Sequence, residues 1–132
     1  MSNNDTRPYF YRGPTPNYIT TNPAVWGPHF WFVIHTVMAH YPEKPTSLDQ
    51  EVMIGFIKSI PFLLPCDECY RSTFHFIKEH VDEIPELAKD RNKLIHFFNV
   101  YHDKVNLKLG KKPMYLSREV VTGYRPVFGK PY

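Results

Sequence analysis

Only two cysteines occur in this 132-residue chain, and they lie close together, in Pro65-Cys66-Asp67-Glu68-Cys69. Thiols at C-x-x-C spacing are more often redox-active or metal-binding than structural. A disulfide-stapled extracellular domain would carry more cysteines at longer spacings. The reactive form of cysteine is the thiolate, whose pKa falls at a helix N-terminus and within a C-x-x-C. Both conditions meet here, because Pro65 precedes the pair and a helical pattern follows it. Asp67 and Glu68 work in the opposite direction, since neighbouring negative charge raises a thiol pKa. Three readings stay open on these residues: dithiol–disulfide chemistry, a metal site and an inert pair.

The metal reading has a specific form. Cys66, Cys69, His75 and His80 follow the pattern C-x2-C-x5-H-x4-H, and zinc accepts sets of two cysteines and two histidines. Finger-type sites leave a longer gap between the halves. Cys69 and His75 would also share one continuous helix, which limits their convergence on a tetrahedral ion. A thioredoxin-type site needs strands alternating with helices around the motif, and no strand alternation is visible.

The elements that would hold the thiols read as helices. Phe30, Val33, Ile34, Val37, Met38 and Tyr41 recur at helical spacing, which predicts a first helix over Val25–Tyr41. Pro28 fits its first turn, and Pro42 and Pro45 lie beyond its end. A second helix is expected over Ser47–Ile60, with Ser47 and Gln50 in the form of a capping box. Val52, Phe56 and Ile60 line one face, and Pro61 stops it. The third helix covers Cys66–His80 with Phe74 and Ile77 buried, and a short helical turn follows near Pro85–Ala88. The fourth spans Asp90–Leu109, capped by Asp90. Its stripe is Leu94, Phe97, Phe98, Tyr101, Val105 and Leu109. Gly110 is placed as its stop, with Lys108 and Lys111 near the negative end of the dipole. Ser117–Val121 adds a short fifth helix. The fold class is therefore all-α, a four-helix bundle with a short fifth helix. The bundle is expected over 25–122, between an N-terminal extended arm over 1–24 and a C-terminal tail over 123–132.

The length fits one domain able to bury its own core. Ten Phe, nine Tyr and two Trp favour flat contacts, inside a core or against a planar ligand. The net charge of +3 gives mild support for an anionic, phosphate-bearing partner. No basic run marks a nucleic-acid face. The first residues lack an apolar signal core. The longest apolar run, Phe30–Ala39, is broken by His35 and too short to span a bilayer. A cytoplasmic setting is expected.

Three stretches hold more than a helical pattern. The first is Trp26-Gly27-Pro28-His29-Phe30-Trp31-Phe32-Val33-Ile34-His35-Thr36, closing at Tyr41-Pro42. The second is the C-x-x-C, preceded by Phe56 to Leu64. The third is His102-Asp103-Lys104-Val105-Asn106-Leu107-Lys108-Leu109-Gly110-Lys111-Lys112-Pro113. In this order, from about Trp26 to Tyr115, they resemble the Erv/ALR family of flavin-linked sulfhydryl oxidases. That family shows W-G, W-x-x-L-H and Y-P, then C-x-x-C, then H-N-x-V-N-x-x-L-G-K with K-P following.

The resemblance implies an Erv/ALR-like bundle that holds FAD at its mouth beside the C-x-x-C, and a homodimer. It implies oxidation of protein dithiols, with electrons passing through FAD to dioxygen and giving hydrogen peroxide. By position it implies that Cys66 and Cys69 are catalytic and that Trp26, Gly27, Trp31, His35 and Tyr41 line the flavin. His102, Val105, Asn106 and Lys111 would hold the adenosine and phosphate portion, helped by Lys112; no metal is implied. The residue types suit these roles. His102 and Asn106 are four apart on one helix face, with Val105 beside them. Lys111 can reach a pyrophosphate as a point charge. The protein positions and tunes the flavin, and the flavin carries the electron chemistry.

The chain departs from the family pattern in two ways. Asp103 stands where the family usually has Asn, and Asn99 and Ser117 stand where many members have a second, structural cysteine pair. Neither arm carries shuttle cysteines. In this the chain is similar to the short members of large DNA viruses, which make disulfides in the host cytosol; host cytoplasm or virion would then be its place. The expected electron donor is a separate dithiol protein or a small thioredoxin-like relay. Its thiolate would attack Cys66, the mixed disulfide would be resolved by Cys69 or by the partner's second thiol, and Cys69 would face the flavin. The runner-up is a helical zinc- or partner-binding module without turnover. A third reading is a flavin-free dithiol carrier.

Overall fold

A computed structural model describes residues 22–115. Its elements are α1 Pro23–Ala39, α2 Ser47–Leu63, α3 Asp67–Glu79, the one-turn α4 Ile84–Leu87 and α5 Arg91–Lys108. No strand occurs among the described residues. The all-helical bundle read from the sequence is what the chain forms. The expected helix over Ser117–Val121, and nearly all of both arms, lie outside the described residues.

The helix ends follow from capping chemistry, and several differ from expectation. The Asn22 side chain accepts from the Ala24 N–H at 3.0 Å, and Pro23 occupies the first turn. A proline there forfeits no hydrogen bond. Pro28 consequently sits inside α1 and not in its first turn. The helix ends at Ala39, where His40 folds its Nδ1 onto the Thr36 carbonyl at 2.9 Å. In α2 the capping box is Thr46 with Asp49, one residue ahead of the expected Ser47–Gln50 pair. The Thr46 N–H donates to Asp49 Oδ2 at 2.8 Å, and the Asp49 N–H to Thr46 Oγ1 at 3.1 Å. Pro61 does not stop α2 at once: it forfeits its own N–H bond and crowds the carbonyl four residues back, and the helix runs on only to Leu63. Asp90 caps α5 as expected, taking the N–H groups of Asn92 and Lys93 at 2.8 and 3.2 Å. Gly110 follows that helix with φ +79°, a conformation that favours glycine.

Packing pairs α1 with α5 and α2 with α3, while α4 bridges α2 and α5. The core joins Ile34 and Met38 of α1, Met53, Ile57 and Ile60 of α2, Phe76 and Ile77 of α3, and Leu94, Phe97 and Phe98 of α5. Each such side chain contributes about 1.5–3 kcal/mol on burial. The expected α2 face was offset: Met53 and Ile57 are buried, and Val52 points out. Val33, Phe74 and Leu109 are exposed as well. These outward apolar residues lie on helix faces the described residues leave uncovered.

Candidate active site

The redox pair sits where α2 hands over to α3. Cys66 is extended (φ −118°, ψ 128°) and forms the N-cap of α3. Its Sγ accepts the Cys69 N–H at 3.3 Å. The two cysteines form a disulfide with their Cα atoms 5.1 Å apart, and both are half-buried. Sulfur therefore does what Ser or Asp does at ordinary helix starts, satisfying an orphan N–H at the positive end of the dipole. The carboxylates between the cysteines have cationic neighbours: Arg71 lies 3.3 Å from Asp67 and Lys108 lies 3.7 Å from Glu68. Both pairs are exposed and weak, but they offset the negative charge that opposes a thiolate here.

A cleft of about 470 Å³ opens between α3 and α5, lined by Glu68, Ser72, Tyr101, Lys104, Val105 and Lys108 among others. Its size is that of a ligand pocket. Cys69 precedes Ser72 by three residues and Phe76 by seven, so it stands on the flank of α3 that borders this cleft. Tyr101 is fixed from below by a hydroxyl–hydroxyl hydrogen bond to Thr73.

Beyond Tyr101 the rings of α1 and α5 stack. Trp31 lies on His102 with centroids 3.9 Å apart and planes within 6°. Trp31 also stacks on His35 at 5.6 Å. His35 Nε2 and His102 Nδ1 are 2.8 Å apart. One ring must donate and the other accept, so at most one can be protonated while the bond lasts. Burial, and then the His35 ring, push the His102 pKa down to about 4. Burial also lowers that of His35, opposed by the Asp103 charge. Both rings are therefore neutral near pH 7.

Asp103, noted in the sequence as a departure from the family pattern and not among the expected site residues, organises the end of this stack. Its side chain is fully buried, and its carboxylate accepts the Met114 N–H at 2.7 Å and the Tyr115 N–H at 2.9 Å. That clasp folds the chain back after α5 and sets the Tyr115 ring 5.1 Å from His35 and 5.2 Å from His102. The only signal for it in the sequence was the Asp standing in an Asn position of the motif.

The named residues are not all together. Trp31, His35 and His102 form the stack, and Val105 lines the cleft. Asn106 is buried and turned to Asp103 (Nδ2 to Oδ1, 3.4 Å), while its carbonyl takes the Lys111 N–H at 2.7 Å. Lys111 and Lys112 are exposed just past α5. Trp26 packs edge-on against Phe30 at 5.9 Å, and Gly27 has open space where a Cβ would stand. Tyr41 lies past the end of α1, buried in the core, with its hydroxyl donating to the Ala88 carbonyl at 2.6 Å. Glu68, Ser72, Lys104 and Lys108 line the cleft without having been expected there; the α3–α5 packing selects them. His75 borders the cleft, whereas His80 bonds the Phe76 carbonyl at 2.8 Å. Among the described residues no group of three or more His, Cys, Asp or Glu converges on a metal position.

The sequence pattern of the Erv1 / Alr family matches residues 28–125. A protein of Invertebrate iridescent virus 3, provisionally named FAD-linked sulfhydryl oxidase 096R, is 36% identical over 110 residues, covering 83% of this chain and 72% of its own. FAD-linked sulfhydryl oxidase ERV2 of Saccharomyces cerevisiae is 31% identical over 94 residues, 71% of this chain and 45% of its own. A crystal structure of a double cysteine-to-serine variant of Erv1 from Saccharomyces cerevisiae matches with a TM-score of 0.64 at 26% identity, covering 79% of this chain and 81% of that one.

The neutral histidine pair has a pH signature. His102 titrates near 6.5 when unfolded and at about 4 when folded, so between these values only the unfolded chain binds the proton. The stability it contributes is complete above pH 6.5 and is lost as the pH falls toward 4. The lowered His35 acts in the same direction. Thermal melts should show Tm falling through this window, and His102→Gln, which takes up no proton, should flatten the fall. An unchanged slope in the variant contradicts the neutral pair.

Proposed function

This chain belongs to the Erv1/Alr family, and from that footing we propose that it is an FAD-linked sulfhydryl oxidase working through Cys66 and Cys69. Protein dithiols are the substrates, and electrons pass through FAD to dioxygen, giving hydrogen peroxide. The observation that carries this reading is the disulfide on the first turn of α3, at the flank of the cleft between α3 and α5.

The residues present fit the cofactor. The cleft volume suits part of a dinucleotide. Lys104, Lys108 and the nearby Lys111 supply positive charge for a pyrophosphate. Trp31, His35, His102 and Tyr115 offer flat rings beside it. Bound FAD would supply the two-electron acceptor that reoxidises the pair and hands electrons on to dioxygen.

The chain's own chemistry follows from the cap. A substrate thiolate attacks the sulfur of Cys66, the Cys66–Cys69 bond breaks, and Cys69 leaves as a thiolate. Return attack by Cys69 would only restore the starting disulfide. Attack by the substrate's second thiolate on its own sulfur in the mixed disulfide forms the product disulfide and expels Cys66. The Cys69 N–H and the helix dipole stabilise that expelled thiolate, and a lower-pKa thiol leaves faster. The pair now holds two electrons, and the two substrate protons have gone to solvent. Cys69 lies on the flank that borders the cofactor cleft. The donor is a separate dithiol protein or thioredoxin-like relay, since the chain has no third cysteine. A cytosol-like setting belongs to the same proposal, motivated by the single C-x-x-C in place of a multi-cysteine framework; fractionation of expressing cells checks it.

A homodimer is part of the proposal too. Val25, Phe32 and Val33 of α1 and Leu48 and Val52 of α2 are exposed, Phe32 by 71%. Val25 and Phe32, seven residues apart, share one face of α1, and this outward apolar face is the one assigned to a second copy.

Purified protein should be yellow, take up dioxygen with dithiothreitol, and release one molecule of peroxide per dithiol. A colourless protein that consumes no dioxygen after incubation with FAD overturns the reading. Sedimentation should find a dimer that Phe32→Asp shifts toward monomer; a wild-type monomer contradicts the dimer.

A further inference from the structure

On the side of α3 away from the cofactor cleft lies a second recess. Lys58, Pro61 and Phe62 of α2, Phe74, Ile77 and Lys78 of α3, and Val81 just beyond it enclose about 340 Å³. Phe62 and Phe74 of its lining cluster with Tyr70, with centroids 5.5, 5.9 and 6.1 Å apart. Tyr70 follows Cys69 directly, and its N–H bonds the Cys66 carbonyl at 2.9 Å. Tyr70 thus stands between the redox pair and the groove, which runs along the second half of α3.

Its lining is apolar except for two lysines. Phe74 is 37% exposed and Val81 42%. No acidic residue lines the groove, and neither Lys58 nor Lys78 takes part in an ion pair among the described residues. The cofactor cleft differs in this respect, since Glu68 and Glu79 stand among its cations.

We infer that this groove docks the dithiol substrate, and that it takes an extended segment bearing an apolar or aromatic side chain flanked by Asp or Glu. The inference rests on the oxidase reading and adds to it the element by which substrates are recognised. An apolar floor alone would accept many segments. Two uncompensated lysines at its rim favour carboxylates and disfavour a basic segment. Distance from the cysteines along α3 sets the spacing. From Cys66 to Phe74 the helix rises about 12 Å, which an extended peptide covers in about four residues. The anchoring side chain therefore belongs about four positions from the attacking cysteine.

Two reduced peptides test this. Each carries a Cys-Gly-Gly-Cys dithiol and a Leu-Phe pair spaced four residues from it, flanked by Asp in one and by Lys in its twin. The FAD-loaded full chain should use the acidic peptide with a kcat/KM at least about fivefold higher, as two exposed charge contacts allow. The Lys58→Glu, Lys78→Glu double variant should reverse the order, with dithiothreitol turnover unchanged. Fluorescence anisotropy with serine-for-cysteine versions of the peptides should give the same order without turnover. A protein inert toward dithiothreitol would overturn the oxidase reading while anisotropy still tests the groove. Equal use of both peptides, or an acidic preference that survives charge reversal, overturns the docking assignment. A wild-type dimer that dissociates on charge reversal would seat a second copy in the groove and overturn it as well.

Discussion

The hydrogen bond from the Cys69 N–H to the sulfur of Cys66 is the interaction on which the rest of the site depends. A helix start must find acceptors for its first N–H groups. Here the acceptor is one of the two reactive atoms. The same contact starts α3, stabilises negative charge on Cys66 and fixes where each cysteine stands on the helix. An oxygen cap would start the helix equally well but would leave no sulfur in the field of its dipole.

Once α3 begins at Cys66, its two flanks take different work. Ser72 and Phe76 turn with Cys69 toward α5 and the larger cleft. Tyr70 and Phe74 turn toward α2 and the lysine-rimmed groove. The helix thereby separates a polar, cation-bearing space suited to a dinucleotide from an apolar space suited to a polypeptide. The bundle core holds this partition in place: Phe76 stacks on Tyr101 at 4.3 Å, and Tyr101 is pinned to Thr73. On the far side of Tyr101, the Asp103 clasp and the neutral His35–His102 pair lock α1, α5 and the returning chain into one aromatic wall.

Much of this was legible in the sequence, for identifiable reasons. Helical periodicity placed the four long helices to within a few residues, because each buries a continuous stripe. The C-x-x-C after Pro65 placed the reactive sulfurs at a helix start. Ends set by reciprocal side-chain bonds were less legible: Thr46 and Ser47 are equally good caps on paper, and only the partner three residues on decides. Tyr41 carries a family position but spends its hydroxyl on the carbonyl of Ala88, just after α4, a contact between distant segments. The role of Asp103 also depends on tertiary return, since Met114 and Tyr115 are eleven and twelve residues away. The charge balance at the cysteines, undecided from Asp67 and Glu68 alone, needed the positions of Arg71 and Lys108.

Anaerobic single-turnover mixing of the FAD-loaded protein with dithiothreitol tests the redox assignment of Cys66–Cys69 most directly. The oxidised-flavin absorbance should bleach rapidly in the wild type. It should persist in Cys69→Ser, which retains the cap sulfur and bound flavin but cannot form the disulfide. Bleaching at the wild-type rate in that variant would contradict a working disulfide at the start of α3.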